Sequence, residues 1–308
     1  MVADHTAFAK EPLVTTPHFR FFEVDGSVRN TTRIAENAER TFGILCRTLA
    51  VCDIAAKTPI DVWLAPDAEK FAAAFPDGSP MAEWAVGVAF VAQGRIVLRA
   101  HGSALFTLDE TFEHELSHVL LHRGAAPGRV PRWFSEGVAI WQAGESVLER
   151  MVPAQRAALT DSLVPLSELD RRFPAQGPAV ALAYAEAGLF LRWAIGQSGA
   201  DLVPKLVADL RSGLDFNAAF RGRTGYSLEE AEEAWRETLE GPGLLLSVLS
   251  DQNVVWILLS LLFLMTARIK ILRKRRRLQE MEEEERAAQA LRASRFDEHA
   301  QRGEPTLH

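Results

Sequence analysis

His114-Glu115-Leu116-Ser117-His118 carries the most chemistry of any stretch in this chain. Residues four apart share one face of a helix, so the two imidazoles can reach a single ion while Glu115 stands beside it. A catalytic zinc ion takes three protein ligands and keeps a fourth position open, so one further donor is required. His122 repeats the four-residue step, but it sits about 12 Å along a helix from His114, too far for both to bind one ion at about 2 Å. It reads as a helix-end or surface histidine. A longer motif, with Gly three residues after the second His and a third His three further on, is ruled out by Leu121 and Gly124. The remaining candidate is Glu136, in Pro131-Arg132-Trp133-Phe134-Ser135-Glu136-Gly137-Val138-Ala139. A carboxylate on a second helix, reached through the turn at 124–128, can approach the ion from another side. Its neighbours Trp133, Phe134, Val138 and Ile140 are a poor setting for an unpaired charge. Two His and one Glu are a known catalytic zinc set; the competing description is a helix with two hydrogen-bonded histidines and a solvated glutamate.

Trp84-Ala85-Val86-Gly87-Val88-Ala89, the His-Glu-Leu-Ser-His motif and the Trp-Phe-Ser-Glu-Gly segment together resemble the peptidase MA-like family of bacterial gluzincins, distant relatives of thermolysin and the zinc aminopeptidases. Ala183-Tyr184, Phe190, Gly199 and Trp235-Arg236 fit the same pattern, so the resemblance spans roughly residues 17 to 240. It implies a zincin-like metallopeptidase domain acting on a peptide or protein, with one zinc ion on His114, His118 and Glu136. It also implies Glu115 as general base. Such an ion makes water acidic and polarises a scissile carbonyl, and Glu115 would take the proton and pass it to the leaving amine. In gluzincins the oxyanion donor is often a Tyr or His on a downstream helix, and Tyr184 is the better placed of the two tyrosines; an amphipathic core tyrosine is the other reading. The Gly-Ala-Met-Glu-Asn motif that grips a free amino terminus in aminopeptidases is absent, which favours an endopeptidase. Arg95–Ala100, just before the active helix, is expected to be the edge strand that holds extended substrate. The rival from another class is a zinc-binding or metal-free pseudoenzyme serving as a membrane-tethered interaction module. Retention of Glu115 weighs against it, since zinc binding does not need that carboxylate.

The elements that must position these residues fall in two groups. Phe19–Val24 and Ile60–Leu64 read as strands, with an amphipathic helix at about 30–49 between them, where Ile34, Ala38, Phe42, Leu45 and Leu49 recur every three or four positions. A helical stretch ends near Phe75, and Val86–Val91 and Arg95–Ala100 flank Ala92-Gln93-Gly94 as a hairpin. From Ala104 the pattern is helical, with main segments at 104–121, 131–143, 180–197 and 201–210. Ser227-Leu228-Glu229-Glu230 is a capping box opening the last helix. Strands first and helices afterwards indicate an α+β domain, a small N-terminal sheet followed by a helical subdomain, at residues 17–242 after an N-terminal segment 1–16.

Residues 243–272 are expected to hold one transmembrane helix with its flank, and 273–308 a charged tail. Val254–Leu272 would span about 29 Å, close to a hydrocarbon core, with Arg268 and Lys270 able to snorkel near its end. Trp256 at one end and Arg273-Lys274-Arg275-Arg276-Arg277 at the other are an aromatic anchor and a positive-inside flank, which puts the tail in the cytoplasm and the catalytic domain outside it. The basic run is read as an anionic-lipid contact. Residues 268–308 hold eleven Lys/Arg and eight Asp/Glu, leaving 23 against 33 elsewhere, and this acidic body argues against nucleic acid as a partner. No secretory signal is visible at 1–16, an awkward point for a translocated domain that an upstream start would resolve. Cys46 and Cys52 are read as two small buried hydrophobes, because a disulfide would require the helix to end between them.

Overall fold

The computed structural model describes residues 11–24, 28–75, 85–100, 107–145, 147–174, 177–240, 259–271 and 274. It divides into two compact units, Met1–Pro242 and Gly243–His308.

In the first unit, β1 (Val14–Thr15), β2 (Phe19–Glu23), β3 (Ile60–Ala65), β4 (Gly87–Phe90) and β5 (Arg95–Arg99) form one sheet in the order β1-β2-β3-β5-β4. β2, β3 and β5 run parallel, in register through Phe21, Val62 and Ile96. Their apolar runs fit a sheet covered on both faces. On one face Phe19 meets Phe42 of α1 (Val28–Leu49) and Phe112 of α4 (Leu108–Ala125), with ring centroids 6.0 and 5.7 Å away. On the other, Phe22 stacks on Trp63 at 4.5 Å, and this pair packs with Phe71 of α3 (Ala68–Ala73) and with Phe75 and Val97. The hairpin expected at Ala92-Gln93-Gly94 forms, β4 pairing antiparallel with β5. The edge assignment is corrected: β5 lies between β3 and β4, and the described strand at that margin is β4. Sequence order places the strand nearest the active helix last, but the hairpin folds its first strand outward.

The cysteine reading is corrected as well. Cys46 and Cys52 are disulfide-bonded, with Cα atoms 4.8 Å apart. α1 ends at Leu49, Ala50 takes a left-handed conformation (φ 55°), and α2 (Cys52–Ala55) starts anew. The helix break that the pairing requires is therefore present.

Seven described helices follow α4: α5 (Arg132–Gln142), α6 (Val147–Leu159), α7 (Leu166–Arg171), α8 (Pro178–Ser198), α9 (Leu202–Arg211), α10 (Phe216–Thr224) and α11 (Leu228–Glu240), which closes the unit. α4 starts at a capping box in which Thr107 and Glu110 satisfy each other's backbone N–H groups. The Ser227/Glu230 box expected at α11 forms in the same way. α5 is buried from Trp133 to Ile140 and crosses α8 so closely that a Cβ at Gly137 would lie 2.6 Å from the Ala187 carbonyl oxygen. Trp133 also meets Phe190 and Phe216 edge-on at 5.3 and 5.6 Å, locking α5 into the helical core.

Among the described residues one helical stretch, Ala179–Ser198, is long and apolar enough to cross a membrane. It belongs to α8, whose Ala183, Ala185, Ala187, Phe190 and Leu191 are buried in this core, and a core helix passes the same test. Residues 259–271 of the second unit are helical and expose Leu261, Leu262, Phe263, Leu264 and Met265. Residues 254–258 and 272 of the expected span lie outside the described residues.

Candidate metal centre

α4 and α5 present the histidines and Glu136 to one another. The rings of His114 and His118, one turn apart on α4, have centroids 5.0 Å apart. The His118 and His114 Nε2 atoms lie 3.3 and 3.6 Å from the Glu136 Oε2 atom. One ligand atom from each of the three residues lies within 4.8 Å of the other two, a spacing one metal ion can bridge. The Glu136 Oε2 atom is buried and has no hydrogen bond of acceptable geometry. A buried carboxylate oxygen without a donor is costly. A divalent cation at the meeting point of the two Nε2 atoms and this oxygen would satisfy all three, so the donor set fits zinc. Burial alone would raise the Glu136 carboxyl, but His118 and His114 outweigh it and hold the group far below the usual carboxylate range.

Both imidazoles are held from behind. His118 Nδ1 lies 2.8 Å from the Ser135 hydroxyl, and His114 Nδ1 lies 2.9 Å from Glu145 Oε1. Such partners fix the tautomer that leaves Nε2 free for a metal. Glu145 in turn pairs with Arg150 of α6. His122 is at the helix end as expected but is turned inward, its Nε2 3.3 Å from Ser135 Oγ. Burial pushes His122 down to about 4, aided by the charge of His118, so the ring is neutral near pH 7. Ser117 and Gln142 complete the brace: the Ser117 hydroxyl donates to Gln142 at 2.7 Å, and Gln142 donates to the Leu45 carbonyl of α1 at 3.1 Å.

Glu115 is buried beneath β4. Burial pushes its carboxyl up and the Glu136 charge adds to that, while His114, His118 and the Ala89 N–H pull the other way; the balance is upward. β4 passes so near that a Cβ at Gly87 would lie 2.9 Å from Glu115 Oε1 and 2.5 Å from Thr111 Cγ2. Only a residue without a side chain fits there. Tyr184 of α8 lies with its ring 6.5 Å from that of His114 and edge-on to Phe173 at 5.1 Å. Burial, then the charges of Glu136 and Glu115, push its phenol well up, so the hydroxyl stays a donor. Arg132 stacks over the Phe173 ring at 5.1 Å, with its Nε 3.6 Å from Glu136 Oε1.

Ser135, Gln142, Glu145 and Arg150 were not found by sequence reasoning. Ser135 adjoins Glu136, but nothing in its spacing points at His118. Glu145 follows the end of α5, and only tertiary approach brings it behind His114.

A mixed α+β domain thus carries two half-buried histidines and a buried carboxylate on paired helices, a group of side chains that could hold one metal ion. The family model of the peptidase MA superfamily matches residues 43–241, and the chain belongs to that superfamily. Comparison with curated proteins and with solved structures returns no significant match.

Proposed function

We propose that this is a membrane-anchored, zinc-dependent peptidase that cleaves within polypeptides, with Glu115 as general base. The observation that carries the reading is the convergence of His114 and His118 Nε2 on the unsatisfied, buried Glu136 Oε2. Zinc held by these three side chains would supply Lewis acidity toward water and the scissile carbonyl. The chain's own groups do the rest. Glu115, raised by burial, accepts a proton from water and returns it to the leaving amine nitrogen. Its bond from the Ala89 N–H fixes the carboxylate against β4. Tyr184, kept protonated, is the donor assigned to the developing oxyanion. β4, at the sheet margin against α4, is the strand along which an extended substrate would pair.

The anchor is residues 254–272, supported by the exposed apolar side chains at 261–265. Arg273–Arg277 would contact anionic lipid, with the tail cytoplasmic and the catalytic unit outside the cytoplasm. The Cys46–Cys52 disulfide supports that side, because such bonds persist in oxidising compartments.

The test is a pair of assays on the detergent-solubilised full chain, zinc stoichiometry and cleavage of an unstructured protein. Glu115→Gln is expected to keep zinc while losing about 10² to 10⁴ in rate. His118→Ala is expected to lose both, since two protein ligands hold zinc poorly. Cleavage by Glu115→Gln at the parent rate would refute the general-base role. A parent that binds zinc and cleaves no polypeptide would instead favour a tethered binding module.

A further inference from the structure

The two histidines of the centre are backed differently. Behind His118 stands a neutral hydroxyl, Ser135 Oγ, at 2.8 Å. Behind His114 stands a carboxylate, Glu145 Oε1, at 2.9 Å. That carboxylate is nearly buried, its side chain 10% exposed, and its other oxygen pairs with the guanidinium of Arg150, 16% exposed. Arg150 comes from α6, which packs against α8, the helix that carries Tyr184. Its charge is felt at both Tyr184 and Glu136. A buried cation this close to a site meant for a dication is unfavourable unless something balances it. Glu145 is that balance, and it touches a proposed ligand at the same time.

Resting on the metallopeptidase reading, we infer that Glu145 and Arg150 are a coupled pair of positioning residues for the metal centre, with opposite effects on metal affinity. Glu145 accepts the His114 Nδ1 proton, which fixes the ring with Nε2 free and makes it a stronger donor. Arg150 holds Glu145 in place and withdraws part of that negative charge. His118, backed by a hydroxyl, has no such control.

The opposed signs make the test. Zinc dissociation constants are measured by competition with a chromogenic chelator on the detergent-solubilised full chain, with the visible spectrum of the cobalt-substituted protein as a report on ligand geometry. Glu145→Gln keeps the shape and an acceptor for His114 but strands the buried guanidinium beside the ion, so zinc should bind about 10- to 100-fold more weakly. Arg150→Met leaves Glu145 uncompensated, so zinc should bind more tightly than in the parent, and unchanged or weaker binding would overturn the inference. Combining the two removes the stranded cation and should return affinity toward the parent value. Parallel weakening by both single variants would mean a merely structural salt bridge and would overturn the inference. So would Glu145→Gln binding like the parent. If Glu145→Gln fails to fold, the sign of the Arg150→Met change decides alone. A parent chain that binds no zinc overturns the metallopeptidase reading and this inference together, whereas a zinc-binding, cleaving parent with either adverse variant result overturns only the inference.

Discussion

Gly87 touches the proposed base without contributing a side chain to it. A Cβ there would lie 2.9 Å from Glu115 Cγ and Oε1, distances real side chains do not tolerate, so Gly87→Ala should push the carboxylate away from its place beneath β4. A displacement of about 1 Å at a reacting group can cost about 10²-fold in rate. We expect Gly87→Ala to lose activity on that scale with zinc content unchanged. The same Cβ would also meet Thr111 Cγ2 at 2.5 Å, so a second variant, Gly87→Ala with Thr111→Ala, relieves that clash alone. Recovery of activity in the double variant would show that Thr111, not Glu115, is what the glycine accommodates. None of this can be read from the chain, where Gly87 is one small residue among several. The grouping of His114, His118 and Glu136 was legible because helix geometry ties spacing to direction: the two histidines had to share a face, and Glu136 stood among apolar neighbours with no evident partner. Ser135, Glu145 and Arg150 were illegible for the opposite reason. Their partners are reached across packed helices, and no period in the sequence encodes that distance.

At the scale of elements, α8 carries a second buried carboxylate, two residues beyond Tyr184 and directed elsewhere. Glu186 is fully buried, and both its oxygens accept from the Val164 N–H, at 3.0 and 3.2 Å, holding the chain that leads from α6 to α7. Glu232 of α11 does the same for the Leu166 N–H and is itself paired with Arg236 at 2.6 Å. Burial pushes Glu186 up to about 8, against the pull of the Val164 N–H and Arg236, and Glu232 adds to the rise. In the unfolded chain the group ionises near 4.5. Between those values the unfolded state releases a proton that the folded state keeps, so this group's contribution is complete below about pH 4.5 and falls as pH rises toward about 8. Glu186→Gln retains an acceptor for Val164 and cannot ionise. The difference in urea midpoint, variant minus parent, should therefore grow between pH 5.5 and pH 8.5, by an amount worth on the order of a few kcal/mol. A difference independent of pH would rule out a protonated Glu186. The elements themselves were read well where periodicity is strong, as in α1 and the strands β2 and β3. They were misread where the deciding feature is not periodic. Nothing at Ala50 announces a left-handed residue, so the end of α1 and the disulfide it permits went unseen. Hairpin order does not say which strand lies outward, so the edge was assigned to β5 and not β4.

For the whole molecule, the proposed anchor raises the question of the side of a membrane on which the peptidase unit would work. The two ends of the expected span differ sharply: Trp256 near one, five consecutive basic residues at 273–277 beyond the other. Positive charge beside a span is retained on the cytoplasmic side, so the tail should be cytoplasmic and Met1–Pro242 on the far side. A reporter fused after His308 should then be active only as a cytoplasmic fusion. Protease added to cells with a permeabilised outer membrane should digest the peptidase unit and spare the tail. The disulfide supplies an independent reading in the same cells. Thiols trapped by acid and alkylated without reductant should show Cys46 and Cys52 oxidised if the unit is outside the cytoplasm, and reduced if it is inside, where thiols are kept reduced. Closing so short a loop is worth about 2 kcal/mol in the chain-entropy view, so Cys46→Ser with Cys52→Ser should lower stability in the oxidising compartment by roughly that amount. The same change would have little effect on a cytoplasmic domain whose cysteines are already thiols. Agreement of reporter, protease and thiol state fixes the orientation. A protected unit with reduced cysteines would instead make this a tail-anchored protein whose peptidase faces the cytoplasm, and the basic run would then lie on the far side, against the charge rule that motivates the prediction.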